Sequence, residues 1–107
     1  MPIVEEIQVS RGEIITLHLT EVPNRDLTGK VISFTCSKSP DNPNKLFQVT
    51  ATLVDAPNSK YDVIISKDQT DQNPGTYYYD IWLLPDRRIM REGDFVITGN
   101  AKVPPLG

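Results

Sequence analysis

A chain of 107 residues is long enough to bury one hydrophobic core and too short for two, so a single domain spanning residues 1–107 is expected. Nine prolines and six glycines punctuate it, a balance that favours many short strands over long helices. The net charge of -3 and pI near 5.0 argue against a sequence-independent grip on nucleic acid, which needs clustered lysine and arginine.

No apolar run approaches the roughly 18 residues that cross a bilayer. The N-terminus alternates acidic and apolar residues rather than opening on a basic region, so a soluble chain with no export signal and no membrane partner is expected. Cys36 is the sole cysteine, which rules out an intramolecular disulfide. Packing alone must hold the fold, as in a protein assembled in a reducing compartment.

In chain order, Ile3, Ile7 and Val9 predict a first strand that Arg11-Gly12 ends. Residues 13–20 then alternate, with Ile15, Leu17 and Leu19 on one face and Ile14, Thr16, His18 and Thr20 on the other. His18 falls on the more polar face, and a solvent-facing or structural role is expected, because a metal or proton relay needs partners this chain lacks. After a turn at residues 22–26, the strand over residues 30–37 turns Ile32, Phe34 and Cys36 inward. Cys36 is thus expected as a small core residue rather than a nucleophile, which would need a base and an electropositive pocket.

Residues 39–45 make an exposed loop. Asp41, Asn42 and Asn44 share the composition of a calcium loop but lack its spacing and closing glutamate. Residues 46–54 read as one strand, with Phe47, Val49, Ala51 and Leu53 on one side. Tyr61, Val63 and Ile65 build the next.

Then a polar turn runs through Pro74 and Gly75 into an aromatic strand. In immunoglobulin-like sandwiches a tyrosine near the start of the second-last strand caps the preceding crossover, two residues before the cysteine of antibody domains. Tyr77 holds that place and Tyr79 stands where the cysteine would be, so Pro74, Gly75, Tyr77 and Tyr79 are the expected structural corner. Tyr77, Tyr79, Ile81 and Leu83 form one face of this strand and Tyr78, Asp80, Trp82 and Leu84 the other. With both faces largely apolar, the strand is expected to lie centrally or to be covered by a neighbouring chain. Tyr78, Trp82 and Leu84, with Arg87 and Arg88 of the following hairpin, are the candidate interface.

Residues 89–98 return as the last strand, with a bulge or kink expected at Gly93-Asp94. The Pro104-Pro105 pair bars residues 100–107 from a central strand. The fold class expected is all-β, an immunoglobulin-like β-sandwich of about seven antiparallel strands without a disulfide. Residues 1–10 and 100–107 are expected to be weakly paired docking arms that order on assembly.

Candidates for catalysis are missing. One histidine and one cysteine sit in different strands, and Asp68, Asp71, Asp80, Asp86 and Asp94 fall in no motif that fixes two carboxylates at a working distance. No phosphate loop, paired metal-ligand motif or aromatic-basic platform is present. The expectation is a protein that is not an enzyme, with no catalytic, metal or cofactor-binding residues and no cofactor.

The chain resembles the small immunoglobulin-like domains of tailed-bacteriophage virions, such as the N-terminal domain of baseplate upper proteins and tail-fibre attachment modules. The resemblance is carried in order by Arg11-Gly12-Glu13, Asp26-Leu27-Thr28-Gly29, Thr70, the run from Pro74 through Ile81, and Glu92-Gly93-Asp94-Phe95-Val96-Ile97. It covers nearly the whole chain. That family usually has glycine where Arg87 stands, and its larger members continue into a fibre or receptor-binding region, so a free-standing component is expected here. The resemblance implies a virion structural protein of tail, baseplate or fibre linkage, assembled in the host cytoplasm in repeated copies or as a homo-oligomer against other virion proteins. Three alternatives stand beside it. One is a capsid decoration (cement) protein; the second is a carbohydrate- or host-surface-binding module that uses Tyr78, Trp82 and the loop at residues 39–45; the third is an accessory domain of an enzyme.

Overall fold

The computed structural model describes residues 3–21, 26–39 and 45–99. Most of the expected turn at 22–26, most of the loop at 39–45 with Asp41, Asn42 and Asn44, and the tail at 100–107 lie outside the described residues. The strands are β1 (Ile3–Val4), β2 (Ile7–Ser10), β3 (Ile15–Thr20), β4 (Val31–Ser37), β5 (Lys45–Thr50), β6 (Thr52–Asp55), β7 (Lys60–Ile65), β8 (Gly75–Leu84) and β9 (Arg88–Thr98). A short 3-10 turn, Ala56–Asn58, precedes β7, and one helical turn, α1 (Lys67–Thr70), joins β7 to β8.

One sheet runs β1-β9-β8-β4-β5, with β2 also on β9; the other runs β3-β7-β6. This order, with an N-terminal strand laid parallel on the last strand and a helical crossover into the second-last, makes the molecule an immunoglobulin-like β-sandwich. Alternation explains the layering. Ile32, Phe34 and Cys36 of β4, Tyr61, Val63 and Ile65 of β7, and Tyr79, Ile81 and Leu83 of β8 are each at most 2% exposed. Phe34 sits at the middle of an aromatic cluster, stacked on Tyr79 at 5.4 Å and Phe47 at 6.0 Å, with Phe95 edge-on at 6.0 Å. Cys36 packs beside this cluster, where burial pushes its thiol up to about 12.

The structure departs from the sequence reading in three places. Residues 46–54 are two strands, because Ala51 donates its N–H to the Ile32 carbonyl at 2.8 Å before the chain leaves for the second sheet. The bulge in β9 lies at Met90, where Ile81 opposes Arg91 and Trp82 opposes Ile89; Gly93 pairs in register with Tyr79. And Ile3–Ser10 is no free arm, since β1 and β2 are already hydrogen-bonded parallel to β9. Glu5, between them, donates its N–H to the Glu92 carbonyl at 3.0 Å and accepts from Tyr79 Oη at 2.6 Å. A β-carbon on Gly93 would stand 2.3 Å from that Glu5 carbonyl oxygen, so the close approach of the N-terminal strand requires glycine there.

Polar contacts take over the cross-sheet role of a disulfide. Arg91 of β9 donates through Nε to Glu21 Oε1 at 3.3 Å, through Nη2 to the Thr20 carbonyl at 2.9 Å, and through Nη1 to Glu5 Oε2 at 3.2 Å. Tyr61 of β7 donates to the same Glu21 oxygen at 2.6 Å. Burial, followed by that carboxylate, pushes the Tyr61 phenol far up, so it remains a donor. At the crossover, Ser66 and Gln69 form a reciprocal capping box around α1. The buried Thr70 donates through Oγ1 to the Glu13 carbonyl at 2.6 Å, which fixes the turn against the start of β3.

Candidate functional site

Side chains on the solvent side of the larger sheet follow from its register. Cross-strand partners share a face, so Ser33, Thr35 and Ser37 of β4 lie between Trp82, Asp80 and Tyr78 of β8 on one side and Thr50, Gln48 and Lys45 of β5 on the other. The middle strand carries small hydroxyl residues and both neighbours carry longer ones. The result is a trough of about 430 Å³ with β4 as its floor. Trp82 and Leu84 form one wall, Gln48 and Lys45 the other, and Arg87 stands at one end.

The floor is hydrogen-bonded in a directed way. Gln48 Nε2 donates to Ser33 Oγ at 2.9 Å and to Thr35 Oγ1 at 3.2 Å, while Ser37 Oγ donates to the Ser39 carbonyl at 3.0 Å. Asp80 and Trp82 lie side by side in this lining. Asp80 Oδ1 is shielded from solvent and meets no donor among the described residues. Burial raises the Asp80 carboxyl above its ordinary value; the neighbouring Trp82 indole opposes that shift and the nearby Glu92 adds to it.

Of the candidate interface, Trp82, Leu84 and Arg87 line this trough. Tyr78 continues the same face and donates to Glu92 Oε1 at 3.3 Å. Arg88 does not join them: it pairs with Leu83 and so belongs to the opposite face of the sheet, exposed at its end. Pro74 and Gly75 lead into β8, Tyr77 donates through Oη to the Asn73 carbonyl at 2.6 Å, and Tyr79 points into the core. Arg87 adopts a left-handed backbone, φ 58°, a conformation that glycine takes most readily. The outer face of β8 is less greasy than its sequence suggests, because Asp80 and the hydroxyls of β4 interrupt the apolar surface.

Ser33, Thr35, Gln48 and Asp80 were not singled out from the sequence. The signal was the alternation of hydroxyl residues through β4 opposite an aromatic strand, which the inward set Ile32, Phe34 and Cys36 overshadows. Elsewhere, His18 Nδ1 lies 2.8 Å from Asp62 Oδ1 on the exposed face of the small sheet. Among the described residues no three of His, Cys, Asp and Glu gather as a metal site, and no helix is long and apolar enough to cross a membrane.

No family model matches the sequence. The chain is 32% identical over 77 residues to Triafestin-1 of Triatoma infestans, a match to 69% of this chain that spans 37% of the length of that protein. Among solved structures, an uncharacterized protein from Bacillus anthracis str. Ames superposes with a TM-score of 0.50 at 14% identity, over 92% of this chain and 85% of the other. The NK cell receptor Nkp44 aligns over 92% of this chain and 99% of its own, with a TM-score of 0.43 and 14% identity.

Proposed function

We propose that this chain is a non-enzymatic attachment module that works by contact through the outer face of its larger sheet, as a tail, baseplate or fibre-linking part of a tailed-phage virion. The observation that carries the contact role is the trough itself, a preformed recess on a sheet face that a sandwich standing alone leaves to solvent, walled by half-buried Trp82 and Leu84. The virion setting is supported by the order of the motifs around Gly75, Tyr77 and Gly93. Exposed Ile14 and Ile64, 66% and 53% accessible on the small sheet's side, offer a second contact surface, so one sheet can dock while the other faces outward. Repeated copies around a symmetric platform follow naturally from such a two-faced module.

The test is to band the particles encoded with this chain on a density gradient and to locate the protein by mass spectrometry and labelled imaging. Banding with label on the tail or baseplate supports the proposal. Label on the capsid shell replaces it with the cement reading, and a protein that stays with host debris refutes a virion role.

A further inference from the structure

Sheet edges expose unpaired backbone groups, and most edges of this molecule are guarded against a stray strand. Among the described residues, β6 is short and shifts register against β7 between Leu53 and Asp55. β5 opens on Lys45 and is irregular opposite Ser37. On the far side of the larger sheet, Glu5 and Glu6 divide β1 from β2. β3 has no such device. Ile15–Thr20 ends the smaller sheet, pairs with β7 alone and does so without a shift. It contains no Lys, Arg, Pro, Asp or Glu.

One bond gives the phase of its free backbone groups. Glu21 donates its N–H to the Ser59 carbonyl at 3.1 Å, which continues the register in which Leu19 faces Tyr61 and Leu17 faces Val63. Bonded and non-bonded pairs alternate along an antiparallel ladder, so Leu17 and Leu19 exchange their bonds with β7. Thr16, His18 and Thr20 therefore turn their N–H and C=O groups toward the open edge. The Thr20 carbonyl shows the same phase, since it accepts from Arg91 of the other sheet. The inward side chains are open on this flank too. Ile15, Leu17 and Leu19 pack on the core but are only half-buried, whereas Tyr61, Val63 and Ile65 of β7 are 0% exposed.

This edge also reads the same in both directions: Thr16-Leu17-His18-Leu19-Thr20 is a palindrome about His18. Laid antiparallel on a copy of itself across a two-fold axis at His18, each threonine opposes a threonine, each leucine a leucine, and His18 the partner's His18. Because the His18 backbone groups face the edge, that central pair is a bonded one, and threonine pairs across strands are favourable. An unrelated extended segment offers the backbone bonds alone; only a second copy matches the side chains as well. We propose that β3 pairs with β3 of a second copy about a two-fold axis at His18, which joins the two smaller sheets into one and covers the open flanks of Leu17 and Leu19. A pairing confined to residues 16–20 is smaller than the roughly 20–30 residues a side of a standard interface, so the dimer should dissociate on dilution. This surface is separate from the trough and does not rest on the attachment reading.

The experiment is sedimentation of the full chain from dilute to concentrated solution, and a monomer–dimer equilibrium is expected. His18→Pro removes a donor that faces away from β7, so it should keep the fold and weaken dimerisation at least tenfold. His18→Ala keeps that donor and should dimerise like the natural chain. If His18→Pro fails to fold, Thr16→Glu combined with Thr20→Glu asks the same question, because it sets carboxylate against carboxylate across the axis at positions exposed in the monomer. For the register, His18→Cys should form an intermolecular disulfide on mild oxidation, since the α-carbons of a bonded pair stand about 5.5 Å apart. Thr16→Cys, which opposes the partner's Thr20, should not, and Cys36 is buried and does not compete. A chain that stays monomeric at every concentration, a dimer that the proline or double-glutamate variant leaves intact, or no disulfide through His18→Cys overturns the inference. A monomer that bands with particles refutes the β3 pairing alone, and a β3 dimer that never bands with particles refutes the virion setting alone.

Discussion

Replacing Arg91 with methionine removes the guanidinium that ties β9 to the end of β3. Side chains of Arg91 and Glu21 are only 9% and 4% exposed, so the substitution leaves a carboxylate in a desolvated site with Tyr61 as its remaining side-chain partner among the described residues. Removing one member of a buried pair costs about 3–5 kcal/mol. The bond to Glu5, whose side chain is 58% exposed, adds little to that. Because Tyr61 still donates to Glu21, the lower end is expected, about 3 kcal/mol. Against a total stability of roughly 5–15 kcal/mol that is a large fraction. With a urea dependence of about 1–3 kcal/mol per molar, the unfolding midpoint should drop by about 1–3 M. Adding Glu21→Gln should restore at least half of the loss, since the stranded charge disappears while the amide oxygen still accepts from Tyr61. A loss below about 1 kcal/mol, or a double variant no more stable than Arg91→Met, would refute the view that this network joins the sheets in place of a disulfide.

Tyr77→Phe removes the hydroxyl bond to the Asn73 carbonyl and leaves the ring packed. A cost of about 1 kcal/mol is expected by denaturation, and an unchanged midpoint would show that the corner bond contributes nothing. Gly93→Ala drives a β-carbon into the Glu5 carbonyl, so hydrogen exchange should accelerate at the Glu5 amide and in β1 while Ile7–Ser10 stays protected; equal protection at Glu5 would contradict the close approach. Cys36, fully buried with its thiol pushed up to about 12, should label slowly in the native protein and rapidly in denaturant. Fast native labelling would place it at the surface. Asp80 has its folded-state value raised by burial above 3.8, so between that value and the raised one the native state holds a proton that the unfolded chain has lost. Its contribution therefore falls as pH rises through that window. The stability difference between Asp80→Asn and the natural protein should grow in favour of the variant over the same range, and a flat difference would show that Asp80 is not desolvated.

Legibility along the chain followed the length scale of the physics. Strand faces were readable because alternation is local: Ile32, Phe34 and Cys36, or Tyr79, Ile81 and Leu83, declare an inward face with no knowledge of their partners. The Tyr77 hydroxyl bond to the Asn73 carbonyl is local in the same sense, spanning four residues. The helical turn at Lys67–Thr70 was missed because four residues carry no period, although the spacing of Ser66 and Gln69 in its capping box was present in the sequence.

Short-range pattern along the chain therefore accounts for the alternation of faces and, with a single cysteine, for the lack of an intramolecular disulfide. Tertiary structure decided everything that depends on pairing between distant strands. The sheet switch at Ala51 depends on its bond to Ile32, and the bulge at Met90 on the register of β9 against β8. Arg91 finds its carboxylate partner only because the fold brings Glu21, 70 residues away, to its guanidinium. Asp80 is one acidic residue among several in the sequence, and its raised carboxyl comes from the burial imposed where β4 and β9 flank it, which is a property of the surroundings and not of the residue.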